Sequence, residues 1–184
     1  MRWPARPPYS RRMTNGNGSA RVDWETRVAA LWTDLDRTPP EVFVARMDDL
    51  AASAPDGAMA LFERAGARDS VGLEAEAVTL YRQALAAGLD GAQRRQAVIQ
   101  LASSLRNVGQ VREGLALLEQ ERQRGSDELD GALAAFLALM LVDRGREREA
   151  VSVLLNTLAG HLPRYQRSVR NYARLLVDSA RAAP

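Results

Sequence analysis

From Asp23 onward apolar residues recur every three or four positions and alternating β-branched runs are missing, a pattern that predicts helices and no strands. A first helix near residues 23–36 places Trp24, Val28, Leu31 and Leu35 on one face. The next segment reads as a helix start, with Thr38 as N-cap, Pro39 at the first helical position and Glu41 closing a capping box. That second helix runs to about Ala54, where Pro55 blocks continuation, and its inward face is Val44, Met47, Leu50 and Ala51. Three helix pairs follow, at residues 56–70 with 73–87, 91–107 with 110–124, and 126–143 with 146–159. A last helix over 163–182 carries Tyr165, Val169, Tyr172, Ala173 and Leu176 on one side, with Arg164, Arg167, Arg170, Arg174 and Arg181 covering the rest.

The pairs are copies of one unit. The phrase Gly-x-x-x-Glu-Ala/Gly occurs at residues 72–77, 109–114 and 145–150, spaced 37 and then 36 residues. Aligned on their glycines, the copies share further columns. A small residue stands seven positions before each glycine (Ala65, Ala102, Ala138), where two helices approach closely. A second small residue closes each phrase (Ala77, Gly114, Ala150), and a bulky one follows four positions later (Tyr81, Leu118, Leu154). A first glycine track, Gly72, Gly109 and Gly145, ends the first helix of each pair. A second track, Gly88, Gly125 and Gly160, is expected to close the second helix in a left-handed conformation. A unit of this length cannot bury its apolar face alone and stacks on its neighbours.

These columns resemble the tetratricopeptide repeat (TPR), and more narrowly the small bacterial family called tetratrico peptide repeat group 5. The narrower likeness rests on residues 80–89, 99–109 and 163–168, and the whole covers about residues 40–178. The chain departs from the general repeat in unit length, in lacking the early Trp of the first helix, and in carrying Gly114 where Ala is usual. The resemblance implies an all-α, right-handed α-solenoid of three helix-turn-helix repeats, with flanking N-terminal helices and a C-terminal capping helix. In domains this gives an Arg/Pro/Gly-rich tail at 1–21, N-terminal helices at 22–55, repeats at about 56–90, 91–125 and 126–162, and the cap at 163–184. It also implies a protein-binding scaffold, and the group is thought to dimerise.

Composition narrows the chemistry. All 25 basic residues are arginine, which with abundant Ala and Gly fits a GC-rich bacterial genome. Five of them precede the first acid, so residues 1–21 hold +5 and residues 22–184 sum to −3. The tail is expected to be disordered, since its composition cannot offset ordering entropy, and Met13 is an alternative start. Cysteine is absent and no apolar run is long enough to cross a bilayer, so a cytoplasmic protein without disulfides is expected. His161 is the only histidine and falls at an expected helix end, which leaves no histidine-based triad. Metal ligands do not cluster, and Glu74, Glu76, Glu147 and Glu149 sit where helix dipoles favour acids. No catalytic residue, cofactor or metal is therefore expected.

A protein or peptide partner is expected in a groove lined by the first helices of the repeats, and neither nucleic acid nor a membrane. The groove positions are Phe62, Asp69 and Ser70, then Gln96, Ile99, Ser103, Arg106 and Asn107, then Leu139 and Val142. Gly66, Ala135 and Asp143 belong to the same expected groove, and polarity falls along the series. Arg106 and Asn107 can hold a peptide carboxylate or backbone, or else lie on a solvated helix face or form an internal salt bridge with Asp69, and both have a partial echo in Arg170 and Asn171. A lysine-based carboxylate clamp is excluded, because the chain has no lysine and the asparagine columns hold Gly66, Ser103 and Leu139. The alternative is a homodimeric module whose groove is filled by its own last helix or by a second subunit.

Overall fold

The computed structural model describes residues 18–181. Among these residues there is no strand. The helices are α1 (Gly18–Thr33), α2 (Pro40–Ala52), α3 (Gly57–Ser70), α4 (Glu74–Ala86), α5 (Gly91–Asn107), α6 (Val111–Arg122), α7 (Asp130–Asp143), α8 (Glu147–Ala159) and α9 (Gln166–Arg181), with a 3-10 turn at Leu35–Arg37. The expected pairs are thus α3 with α4, α5 with α6 and α7 with α8. Most of the arginine-rich tail, with its expected disorder and the start at Met13, lies outside the described residues. Residues 18–21, expected within that tail, instead form the first turn of α1, where Arg21 Nε donates to Glu25 Oε1 at 2.8 Å one turn on.

Each repeat turns the same way for the same reason. Gly72, Gly109 and Gly145 have φ of 84°, 81° and 69°, a region closed to most side chains. This lets the next residue reach back across the helix end. Leu73 N–H donates to the Arg68 carbonyl at 2.9 Å, Gln110 N–H to Leu105 at 2.7 Å and Arg146 N–H to Leu141 at 2.9 Å. The second helices then begin without side-chain caps, and acids in their first turns (Glu74 and Glu76, Glu113, Glu147 and Glu149) complement the helix dipole. The second glycine track is less uniform. Gly88 is left-handed at 93°, whereas Gly160 has φ −64° and stays right-handed. The chain leaves α8 through a tight turn, Gly160 N–H to Thr157 O and His161 N–H to Leu158 O, and its positive φ comes later, at Tyr165.

The described chain forms two compact units that divide within α5, between Ala97 and Val98. In the first, α1 packs on α2, α2 on α3 and α3 on α4. Trp24, Val28 and Leu31 of α1 and Phe43, Met47, Leu50 and Ala51 of α2 are buried, with Phe43 rather than Val44 filling the face. Trp24 Nε1 donates to the Leu50 carbonyl at 2.8 Å, and Trp32 Nε1 to the buried Glu63 Oε2 at 2.7 Å, which satisfies polar atoms that burial would otherwise penalise. The Trp32 ring meets Phe43 edge-on at 5.2 Å, and Phe62 meets Tyr81 at 6.2 Å. The expected start of α2 is shifted by one residue. Pro40 is the first helical residue and Pro39 the cap, while the Thr38 hydroxyl donates backwards to the Asp34 carbonyl at 2.8 Å. That bond closes the 3-10 turn and takes Thr38 out of the capping role.

In the second unit α6 packs on α7, α7 on α8 and α8 on α9. Leu105, Leu118, Leu133, Leu137, Met140, Ala150, Ala159 and Ala173 are buried. Gly114 explains its own departure from the repeat. A Cβ built there would lie 2.8 Å from Met140 Cε and 3.1 Å from the Ala102 carbonyl oxygen, so the missing side chain is what lets α5, α6 and α7 close. The packing columns Ala65, Ala77, Tyr81, Ala102, Leu118, Ala138 and Ala150 are all buried. Leu154 is not: it is 44% exposed, which corrects its placement in the core. On α9 the packed stripe is Val169, Ala173, Leu176 and Val177, and Tyr165 and Tyr172 stand in the open.

Candidate functional site

The columns expected to line a groove behave differently from repeat to repeat. Three positions before the small packing residue stand Phe62, Ile99 and Ala135; one after it, Gly66, Ser103 and Leu139; four after it, Asp69, Arg106 and Val142. In the first repeat all three are buried. In the second, Ile99 and Ser103 are buried and Arg106 is half-buried. In the third, all three are exposed, Leu139 at 40% and Val142 at 48%. Phe62, Gly66, Asp69, Ile99 and Ser103 are therefore corrected from open groove positions to buried ones. The first and second repeats bury this side of their first helices, whereas the third leaves it open on either side of the buried Ala138. Of the rest, Ser70 is half-buried with its hydroxyl donating to the Gly66 carbonyl at 2.8 Å, Gln96 is half-buried and Asn107 is exposed.

The same change occurs along the second helices. Val78 and Tyr81 are buried in the first repeat, and Leu115 and Leu118 in the second. Their counterparts Val151 and Leu154, with Leu158 one turn further, are exposed in the third. The third repeat thus presents two apolar stripes: Ala135, Leu139 and Val142 on α7, and Val151, Leu154 and Leu158 on α8. Each has the spacing of a helix face that meets another helix. The first two repeats are each followed in the chain by another repeat; the third is followed by α9, which packs on α8.

An ion pair borders the α7 stripe. Arg106 Nε and Nη2 both reach the Asp143 carboxylate, Nη2 to Oδ1 at 3.1 Å, so the guanidinium forks onto it and ties the ends of α5 and α7 together. The hydrogen bonds from Arg106 hold the Asp143 carboxyl below its ordinary value. The ion-pair partner of Arg106 is therefore Asp143, not the expected Asp69. Asn107 is next to it at the end of α5. A shallow depression of about 480 Å³ beside the pair is lined by Gln110, Arg112, Glu113 and Arg144, among others.

A second polar cluster lies in the first unit. Asp48 of α2 accepts from Arg64 Nε at 2.8 Å and from Arg68 Nη1 and Nη2 at 3.0 and 2.9 Å, and Arg68 Nε donates to Glu76 at 2.9 Å. One carboxylate thus ties α2 to α3, and Arg68 extends the tie to α4. The sequence does not announce this cluster, because 16 and 20 residues separate the partners and no local spacing marks them. An open pocket of about 610 Å³ in the second unit was equally silent. It is lined by Arg122, Ser126, Asp130, Ser152, Asn156 and Val177, among others. Ser126 there is engaged in a loop bond to Asp130 Oδ2. Among the described residues no group of three or more His, Asp or Glu could hold a metal ion, and no helix is long and apolar enough to cross a membrane.

Comparison with known families gives a match to the tetratrico peptide repeat over residues 58–176. No curated protein and no solved structure matches the chain.

Proposed function

The chain belongs to the tetratrico peptide repeat family, and from that premise we propose that it is a non-catalytic protein-interaction module whose third repeat receives a segment of a partner protein. The observation that carries this reading is the exposure of Leu139 and Val142 in columns that are buried or half-buried in the two preceding repeats. Exposed apolar stripes of this kind mark interaction surfaces. The occupant is an apolar helical segment laid along α7, in the way an amphipathic helix docks by anchors at helical spacing. At one end, the Arg106 fork on Asp143 and the amide of Asn107 supply polar contacts, and a partner carboxylate that engages Arg106 competes with Asp143 for it.

Affinity capture tests the reading. Leu139→Asp combined with Val142→Asp replaces exposed side chains, so the fold should keep its stability to within about 0.5 kcal/mol while partners recovered by the wild type are lost. Equal recovery from both proteins contradicts the assignment of the α7 face.

The second reading is a homodimer in which the α7 and α8 stripes of two copies cover each other, supported by the exposure of Val151, Leu154 and Leu158. Light scattering distinguishes it: a monomer at all concentrations removes this reading and leaves the first.

A further inference from the structure

From Ala150 to Val177 the chain contains no acid, yet it carries Arg164, Arg167, Arg170 and Arg174. The rest of the described second unit, residues 98–149 and 178–181, holds 8 arginines against 10 acids. Positive charge is therefore segregated onto α9 and the turn before it. On α9, Arg167, Arg170 and Arg174 are spaced three and four residues apart and share an exposed face with Ser168 and Asn171, around a shallow depression of about 500 Å³. Arg164 stands in the turn before it. Arg174 bonds the Asn171 amide oxygen at 2.9 Å and approaches Asp178 at 3.4 Å. Arg164, Arg167 and Arg170 have no acid within ion-pairing distance among the described residues. Arg167 and Arg170 on α9, with Arg164 in the turn before it, are exposed guanidinium groups left without counter-charge, and they are not needed to hold that helix. Val169, Ala173, Leu176 and Val177 do that from the other side.

We propose that the arginine face of α9 docks an acidic helical segment of a partner protein, one with carboxylates at three- and four-residue spacing. The row from Arg167 to Arg174 extends roughly 10 Å along the helix axis at 1.5 Å per residue. A helix laid alongside presents carboxylates with the same repeat, each free to make a forked contact with a guanidinium. Leu175 and Tyr172, both exposed, border the row and offer the apolar contact that a protein helix uses and a phosphate backbone does not. A polynucleotide fits less well. Tight binding of that kind draws on many phosphate contacts, whereas the basic surface is one short row and the remainder of its unit carries a net charge of −2. The site is separate from the α7 face and does not depend on it.

Fluorescence anisotropy tests the proposal with three labelled probes: a helical peptide bearing Glu at three- and four-residue spacing, the same peptide with Gln at those positions, and a single-stranded oligonucleotide. The full chain should bind the Glu peptide at low salt, lose that binding as salt rises, and ignore the Gln peptide. Arg167→Gln with Arg170→Gln should weaken the Glu peptide by about tenfold or more, with an unchanged helical spectrum and melting temperature, since neither side chain has an internal partner to lose. No binding of the Glu peptide at low salt, equal binding by the variant, equal binding of the Gln peptide, or tighter binding of the oligonucleotide at matched salt each overturns it.

Discussion

Gly114 shows how a single missing atom shapes the second unit. With Met140 Cε and the Ala102 carbonyl both within 3.1 Å of where a Cβ would stand, a larger side chain has to displace the Met140 side chain and crowd the Ala102 carbonyl. Gly114→Val should cost about 1–3 kcal/mol by overpacking, read from the denaturation midpoint, and an unchanged midpoint would show that the contact is loose. The sequence flags this position, since it breaks a column of alanines, but the side chain that fills the gap comes from a helix 26 residues on and leaves no mark nearby. Asp48 is a harder case for any reading of the sequence, because one of three acids on α2, next to Asp49, looks like a solvated one. Burial pushes its carboxyl up, but hydrogen bonds from Arg68 and Arg64, together with their charges, hold it below its ordinary value. A group depressed in the folded state stabilises at pH above its unfolded value, near 4, and loses that contribution as pH falls through the lower folded value. Asp48→Asn should therefore lower stability at neutral pH and flatten the acid limb of the stability curve. Parallel curves for the two proteins would contradict the role of the cluster.

Helix boundaries followed the glycines closely, because a left-handed residue at Gly72, Gly109 or Gly145 is a local requirement that no distant contact overrides. Elements were misread where two local signals competed or where a column changed its surroundings. Two consecutive prolines, Pro39 and Pro40, both suit a first helical turn, and the choice was made by a Thr38 hydroxyl that bonds backwards to Asp34. Leu154 occupies the column of Tyr81 and Leu118, and alignment alone carries no information on whether another repeat follows to cover it. Helix α9 takes part of that role by packing on α8, with Ala159 and Ala173 both fully buried. Removing residues 163–184 should uncover Ala159, lower the melting temperature and promote aggregation, as loss of a polar-backed cap does in stacked repeats. A truncated chain that stays soluble with the same melting temperature would show that α9 is an appendage.

At the scale of the whole molecule, the repeat architecture was legible because it is written three times, and each copy checks the others. The candidate site was only half legible. Register placed Leu139, Val142 and Arg106 in meaningful columns, but a column carries no information on burial, which differs between the third repeat and the first two. Phe62, Asp69, Ile99 and Ser103 therefore share columns with the open α7 face without sharing its exposure. The claim that matters most is that the open face of the third repeat is where a partner sits. A photo-crosslinking residue placed at position 139, with matched controls at exposed Thr79 and Gln120, puts it to the test in a cell extract. The account predicts discrete partner adducts from position 139 that disappear when Val142→Asp is added, and none from the controls. Adducts of equal yield at all three positions, or none at position 139, would contradict it.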